Sequence, residues 1–193
     1  MKFKSGYLLF IIIVLIFTGC NKDNKNISKI TECDTSNTTF NQLYNTLVNT
    51  APNQNRITMD LETHSYTFEV LTEQKICKIG YQSLSTFNTT PYLFEISDNT
   101  SSTLLYSGSH TFSSLTTSYV SIPPVQLIVG HSYTIKRIQK NWNGNIVNTI
   151  GRLVEGNLIF PSTFGALKIT GSSFYGTGGP LDNEIIPYID IVF

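Results

Sequence analysis

The sequence predicts a mainly β protein, an antiparallel β-sandwich of the jelly-roll kind with one short N-terminal helix. Aromatic residues make up 12% of the chain and charged residues only 13%. That composition suits strands joined by polar turns. Apolar and polar residues alternate in about nine or ten short runs separated by turn residues, which is the pattern of a sandwich. No run of helices alternates with these strands, so a parallel α/β sheet is excluded.

The clearest alternation lies in residues 118–137. It predicts three short strands. Pro123 and Pro124 end the first, Gly130 turns the chain after the second, and Tyr133 and Ile135 share one face of the third. Strict alternation bounded by Pro and Gly is typical of half-buried antiparallel strands.

The remaining runs extend the predicted sandwich domain over residues 57–193. Asn143-Gly144 is the strongest hairpin signal and should join residues 135–139 to 146–150. Residues 172–180 read as a Gly-rich loop. Further strands are expected at 57–62, 66–70, 76–81, 92–96, 104–106, 153–160, 166–169 and 185–193.

Residues 1–19 have the features of a bacterial signal peptide. Lys2 and Lys4 precede an apolar run over 7–17, which is short for a transmembrane span. Thr18-Gly19-Cys20 then resembles a lipobox. The resemblance implies cleavage before Cys20 and acylation of that cysteine, with palmitate-type chains anchoring the protein to a membrane. The alternatives are an ordinary signal peptide and an uncleaved anchor.

The residues directly after Cys20 resemble an export signal. Asn21-Lys22-Asp23-Asn24 is similar to the Lys-plus-acid signal of Bacteroidetes lipoproteins. That resemblance implies a lipid-anchored protein of the bacterial outer membrane, displayed on the cell surface. The alternative is an ordinary polar tether.

Residues 20–37 have no apolar period and predict a flexible tether. Residues 38–51 predict a short amphipathic helix, capped by Asn37, Thr38 or Thr39 and ended before Pro52. Its apolar residues recur at helical spacing: Phe40, Leu43, Tyr44, Leu47 and Val48. A helix this short needs a surface to pack on, which is either this domain or a partner.

Two segments of the domain resemble a family of unknown function found in bacterial surface proteins. Tyr119 to Tyr133 is similar to its aromatic–x–x–apolar–Pro–Val signature, which continues to Gly and Tyr. Tyr188 to Phe193 is similar to its final strand, and the likeness covers about 57–193. The resemblance implies a jelly-roll β-sandwich and no catalytic residues.

The sequence predicts no enzyme. His64, His110 and His131 lie far apart without metal-ligand spacing, so structural roles are expected. No Gly-x-Ser-x-Gly elbow and no phosphate-binding loop occurs. Loss of Lys2 and Lys4 leaves 11 basic against 13 acidic residues, a net charge of about −2, so nucleic acid is not an expected partner.

The single tryptophan marks a candidate glycan site. Trp142 lies between Asn141 and Asn143 at the predicted hairpin tip. An exposed ring flanked by amides suits a sugar, because the ring stacks on C–H groups while the amides bond to hydroxyls. Tyr175 and Phe174 of the Gly-rich loop are expected to complete it. The alternative is a tryptophan folded over the sheet.

Two further groupings are candidates for a metal site and a disulfide. Asp60, Glu62 and Asp190 lie on the first and last predicted strands, which are often neighbours in jelly rolls. Their carboxylates could hold Ca²⁺, and no other cofactor is expected. The alternative is a solvated edge. Cys33 and Cys77 are able to form a disulfide in an extracytoplasmic compartment, and the alternative for Cys77 is a buried thiol.

These features predict a membrane-anchored envelope lipoprotein with a non-catalytic, ligand-binding β-sandwich whose ligand is a glycan. The alternative is a structural or protein-interaction module of an envelope complex. An exposed Trp142 favours the first function, and an open, uncharged sheet edge favours the second.

Overall fold

A computed structural model describes residues 33–57, 61–83, 89–140, 151–176 and 179–193. These residues form antiparallel sheets in a sandwich-like arrangement and one short helix, which confirms the predicted fold class. Within this part of the chain, no helix has the length and apolar character that crossing a bilayer requires.

The helix α1 spans Thr39–Val48. The strands are β1 Gln54–Ile57, β2 Thr63–Val70, β3 Gln74–Tyr81, β4 Tyr92–Asp98, β5 Thr103–His110, β6 Ser118–Leu127, β7 Ser132–Gln139, β8 Arg152–Glu155, β9 Ser162–Phe164, β10 Leu167–Tyr175, β11 Leu181–Asp182, β12 Ile185–Pro187 and β13 Asp190–Val192.

The strands form three sheets. The largest has the order β11-β10-β2-β7-β4-β5, with β9 paired to β10. A second sheet has the order β13-β3-β6, and a third has the order β1-β8-β12. The loops β2–β3 and β6–β7 both connect the largest sheet with the β13-β3-β6 sheet. Because β2 pairs with β7 and β3 pairs with β6, these two loops lie side by side at one end of the domain.

Apolar alternation fills the space between the sheets. Tyr66, Phe68 and Val70 of β2 point inward and are almost completely buried. Helix α1 covers part of this core with Phe40, Leu43 and Tyr44. Thr38 caps the helix by accepting a hydrogen bond from the Asn41 N–H, one of the three caps that the sequence allowed.

The segment 118–137 forms two strands, so the prediction of three was wrong. β6 continues through Pro123 and Pro124 because it carries a bulge there: Ile122, Pro123 and Pro124 lie opposite the single residue Cys77 of β3. Proline lacks the N–H that a regular ladder needs, and an irregularity of this kind tolerates that loss.

Two other strands run further than the sequence predicted. β5 continues through Ser107 and Gly108 to His110, beyond the predicted strand 104–106. β10 continues to Tyr175, so the first four residues of the predicted Gly-rich loop are strand. The predicted hairpin at Asn143-Gly144 lies outside the described residues, and β8 pairs with β1 and β12.

Candidate binding site

The N-terminal segment joins the domain at Cys33. Its sulfur forms a disulfide with Cys77, and the two Cα atoms lie 6.0 Å apart. The Cys33 N–H donates to the Phe193 carbonyl at 3.0 Å, and Lys78 Nζ donates to the Cys33 carbonyl at 3.0 Å. The chain is therefore attached to β3 and to the C-terminus where it enters the sandwich. The lipidation candidate Cys20 lies outside the described residues.

Strand β5 forms one edge of the largest sheet. It pairs with β4 on one side, and no described strand pairs with its other side. Its eight residues include no Asp, Glu, Lys, Arg or Pro. Leu104 is 54% exposed, and Ser107 and Ser109 are exposed as well. Natural sheets usually protect an edge with charges, prolines or bulges. β5 has one bulge, at Leu105, but no charge and no proline, so its regular part from Tyr106 to His110 is a place where another extended chain can pair.

The inner face of β5 is covered by its own side chains. Tyr106 and His110 lie on either side of Gly108 and are hydrogen-bonded to each other, Oη to Nε2. A Cβ atom at residue 108 would lie 2.7 Å from Cζ of Tyr106, so a side chain at this position would require the Tyr106 ring to shift. Partial burial raises the pKa of Tyr106 and lowers the pKa of His110. The accessible part of β5 is therefore its outer backbone edge and its outward side chains.

The predicted glycan site is only partly described. Trp142, Asn141 and Asn143 lie outside the described residues. Tyr175 ends β10 and is 56% exposed, so its ring is available to a ligand. Phe174 is fully buried, with its ring centroid 4.3 Å from that of His64. Phe174 therefore belongs to the core and does not complete the site, contrary to the prediction.

The predicted calcium site is only partly described. Asp60 lies outside the described residues, Glu62 precedes β2, and Asp190 begins β13. β13 pairs with β3. The predicted first strand, 57–62, lies largely outside the described residues, so its expected pairing with the last strand stays a prediction. The described residues contain no group of three His, Cys, Asp or Glu side chains able to hold a metal ion.

Asp190 instead organises a buried hydrogen-bond group. Thr38 Oγ1 and Tyr119 Oη both donate to Asp190 Oδ2, at 2.8 and 2.9 Å. The other oxygen, Oδ1, has no hydrogen-bond partner among the described residues. Burial raises the pKa of Asp190 to about 6, and the bonds from Thr38 and Tyr119 offset part of that increase. Because Thr38 also caps α1, Asp190 ties the helix to β6 and β13.

A fully buried arginine is the feature that sequence analysis missed. Arg137 Nη2 lies 2.7 Å from His64 Nδ1, and Nη1 donates to the Glu62 carbonyl at 3.3 Å. Its guanidinium carbon lies 5.9 and 5.3 Å from the ring centroids of Tyr81 and Tyr92. Burial, together with the Arg137 charge, holds the pKa of His64 well below its usual value. His64 is therefore neutral and accepts at Nδ1. Continued alternation from Tyr133 and Ile135 would have placed Arg137 on the inner face.

The third histidine fixes a loop. His131 Nδ1 lies 2.7 Å from Asp98 Oδ2, and Asp98 Oδ1 accepts from the Thr100 and Ser101 N–H groups. Desolvation acts to raise the pKa of Asp98, but the hydrogen bonds from His131, Ser101 and Thr100 outweigh it and lower that pKa. All three histidines therefore have structural contacts, as the sequence predicted.

No protein-family model matches the chain, and no curated protein matches it significantly. The resemblance to the surface-protein family of unknown function therefore stays a prediction. The β5 edge is the candidate site whose residues are all described.

Proposed function

We propose that this chain is a bacterial envelope lipoprotein, anchored through Cys20, whose sandwich is a protein-interaction module. The observation that carries the proposal is the open edge of β5, which has no charge or proline and is regular from Tyr106 to His110, after a bulge at Leu105. An extended segment of a partner protein adds to such an edge as a further strand. The backbone hydrogen bonds then supply affinity, and the outward side chains supply specificity.

The chemistry of β5 limits the partner. Its outward positions offer Leu104, Ser107 and Ser109, which combine apolar surface with hydroxyl groups. A partner strand with small polar and apolar side chains matches this surface, whereas a charged strand gains no ion pair from β5 itself. The lipid anchor keeps the sandwich next to other envelope proteins and raises their effective concentration.

Glycan binding is the second candidate function, and the exposure of Tyr175 favours it. A ring that is 56% exposed at the end of β10 offers a face for stacking on a sugar. It takes second place because Tyr175 is the single accessible member of the predicted set among the described residues.

In-cell photo-crosslinking tests the β5 proposal. A photoreactive amino acid is placed at Ser107, and a matched one at Asn45 on the exposed side of α1. We expect an adduct with another envelope protein from Ser107 and not from Asn45, and peptide mapping should place the crosslink in an extended segment of that protein.

A charge variant supplies the control. Leu104→Lys should reduce the Ser107 adduct by about tenfold, because a lysine at an edge disfavours strand addition. Asn45→Lys adds the same charge away from β5 and should leave the adduct unchanged. Three outcomes would contradict strand addition of a partner at β5. They are an adduct that survives Leu104→Lys, an adduct formed only between copies of this chain, and no adduct at all.

A further inference from the structure

We propose that one end of the sandwich rests on the membrane that holds the Cys20 anchor, through a loop-tip surface formed by Leu71, Ile128 and Val129. This inference rests on the lipid anchor in the proposed function, but it is independent of the β5 edge. The three side chains are 48%, 48% and 49% exposed.

The topology brings the three residues to one place. Leu71 follows β2 and Ile128 follows β6, in the two loops that cross between the same two sheets. On one sheet Glu69 pairs with Ser132, and on the other Gln74 pairs with Leu127. The loops 71–73 and 128–131 therefore run next to each other and present their apolar side chains at the same end.

The described chain begins near this end. Cys33 is bonded to Cys77, which lies three residues from the start of β3 at Gln74. Three strand residues span about 10 Å. From Cys33 the chain runs to Thr38, which contacts Asp190 opposite Gly80, and so it runs away from the loop-tip surface. Cys33, where the described chain begins, thus lies nearer to these loops than Thr38 does.

The chain length allows the contact. Residues 21–32 separate Cys20 from Cys33, and the thirteen steps between those two residues span about 45 Å at full extension. That length is several times the roughly 10 Å between Cys77 and Gln74, the residue at which β3 begins beside the loop-tip surface. A lipidated Cys20 can therefore sit in the bilayer while the loop tips touch its surface.

The surface suits lipid rather than a groove-forming partner. Its apolar residues lie on projecting turns beside polar residues such as Thr72, and the bilayer interface accommodates that combination. Glu73 is the one acidic residue within these two loops, and His131 is paired with Asp98. Three half-exposed side chains bind a free domain weakly. Once acyl chains hold the protein at the membrane, however, they are enough to set its orientation.

Depth-dependent quenching of tryptophan fluorescence tests this. The lipidated full chain is reconstituted in phosphatidylcholine vesicles with brominated acyl chains, in a Trp142→Phe background that removes the native tryptophan. One variant carries Val129→Trp. The matched variant carries Leu115→Trp, at an 86% exposed site in the loop between β5 and β6, at the opposite end.

We expect the Val129→Trp fluorescence to be quenched at least about twofold more than that of Leu115→Trp, because only an interfacial side chain approaches the bromine atoms. Adding Leu71→Ser and Ile128→Ser should reduce that quenching, whereas Ile159→Ser, another exposed apolar site, should not. Equal quenching of the two tryptophans overturns the inference. Flotation of the vesicles separates the two failures: protein that does not float refutes the anchor itself, and protein that floats without quenching refutes only the membrane-facing end.

Discussion

Arg137 keeps its charge in the interior because its neighbours replace the water it loses. The Leu61 and Glu62 carbonyls and the His64 ring nitrogen lie within 3.5 Å of its Nη atoms, and two tyrosine rings lie close to its guanidinium. Hydrogen bonds and cation–π contacts of this kind make burial of a guanidinium tolerable. Burial, together with the same charge, lowers the pKa of His64 and keeps its ring neutral.

Asp190 is the residue for which we predict a pH effect. Its pKa rises from the ordinary 3.8 to about 6 in the folded protein, so the folded state favours the protonated acid. The contribution of Asp190 to the free energy of unfolding is therefore fully present below pH 4 and is lost as the pH rises through 6. The shift corresponds to about 3 kcal/mol. In Asp190→Asn that loss should disappear. Its unfolding free energy, relative to the parent, should therefore increase by about 3 kcal/mol from pH 4 to pH 8.

Urea unfolding at a series of pH values measures this difference. Asp182→Asn, which removes an exposed carboxylate on β11, serves as the control and should show a nearly constant difference from the parent. A constant difference for Asp190→Asn as well would show that the Asp190 carboxylate is not destabilised by burial.

At the scale of elements, tertiary pairing changed the boundaries that local signals suggested. Pro123 and Pro124 are strand breakers in isolation, yet β6 passes through them in a bulge that lies opposite Cys77 of β3. Gly108 is a turn former in isolation, yet in β5 it provides room beneath Tyr106 and His110. In both cases the partner strand or the neighbouring side chains decided what the residue does.

The attachment of the N-terminal segment to β3 predicts a stability effect. The Cys33–Cys77 bond closes a loop with a sequence separation of 44 that includes α1, β1 and β2. Chain-entropy theory assigns about 4 kcal/mol to a loop of this size. The double variant Cys33→Ser, Cys77→Ser should therefore lose about that much unfolding free energy in a denaturant titration. The parent chain under reducing conditions should lose a similar amount, and a loss below about 1 kcal/mol would contradict the entropic account.

At the scale of the whole molecule, the two ends of the sandwich have different chemistry. One end carries the loop-tip surface and lies near the entry of the N-terminal segment at Cys33. The other end carries Tyr175, the β5–β6 loop and the buried Arg137 group. If the first end faces the membrane, the second faces outward, and the β5 edge runs between them, accessible from the side.

Cell fractionation and protease accessibility test the placement of the whole protein. In the native cells the parent chain should remain with the outer membrane, and protease added to intact cells should digest the sandwich domain. Cys20→Ala should release the protein from the membrane fraction, because it removes the site of acylation. A variant that stays membrane-bound would refute lipidation at Cys20, and a protected domain would place the protein on the inner face.

The sequence by itself determined the fold class, because two-residue alternation must bury one face of each strand, as Tyr66, Phe68 and Val70 show. It also located the helix, because a 3.6-residue period places Phe40, Leu43 and Tyr44 on one helix face, which packs against the core. Only the tertiary structure decided which strands are neighbours, and therefore that Asp190 meets Thr38 and Tyr119 rather than Glu62. It alone left β5 at an edge and placed Arg137 inside. These outcomes depend on pairing between distant segments, which local periodicity does not specify.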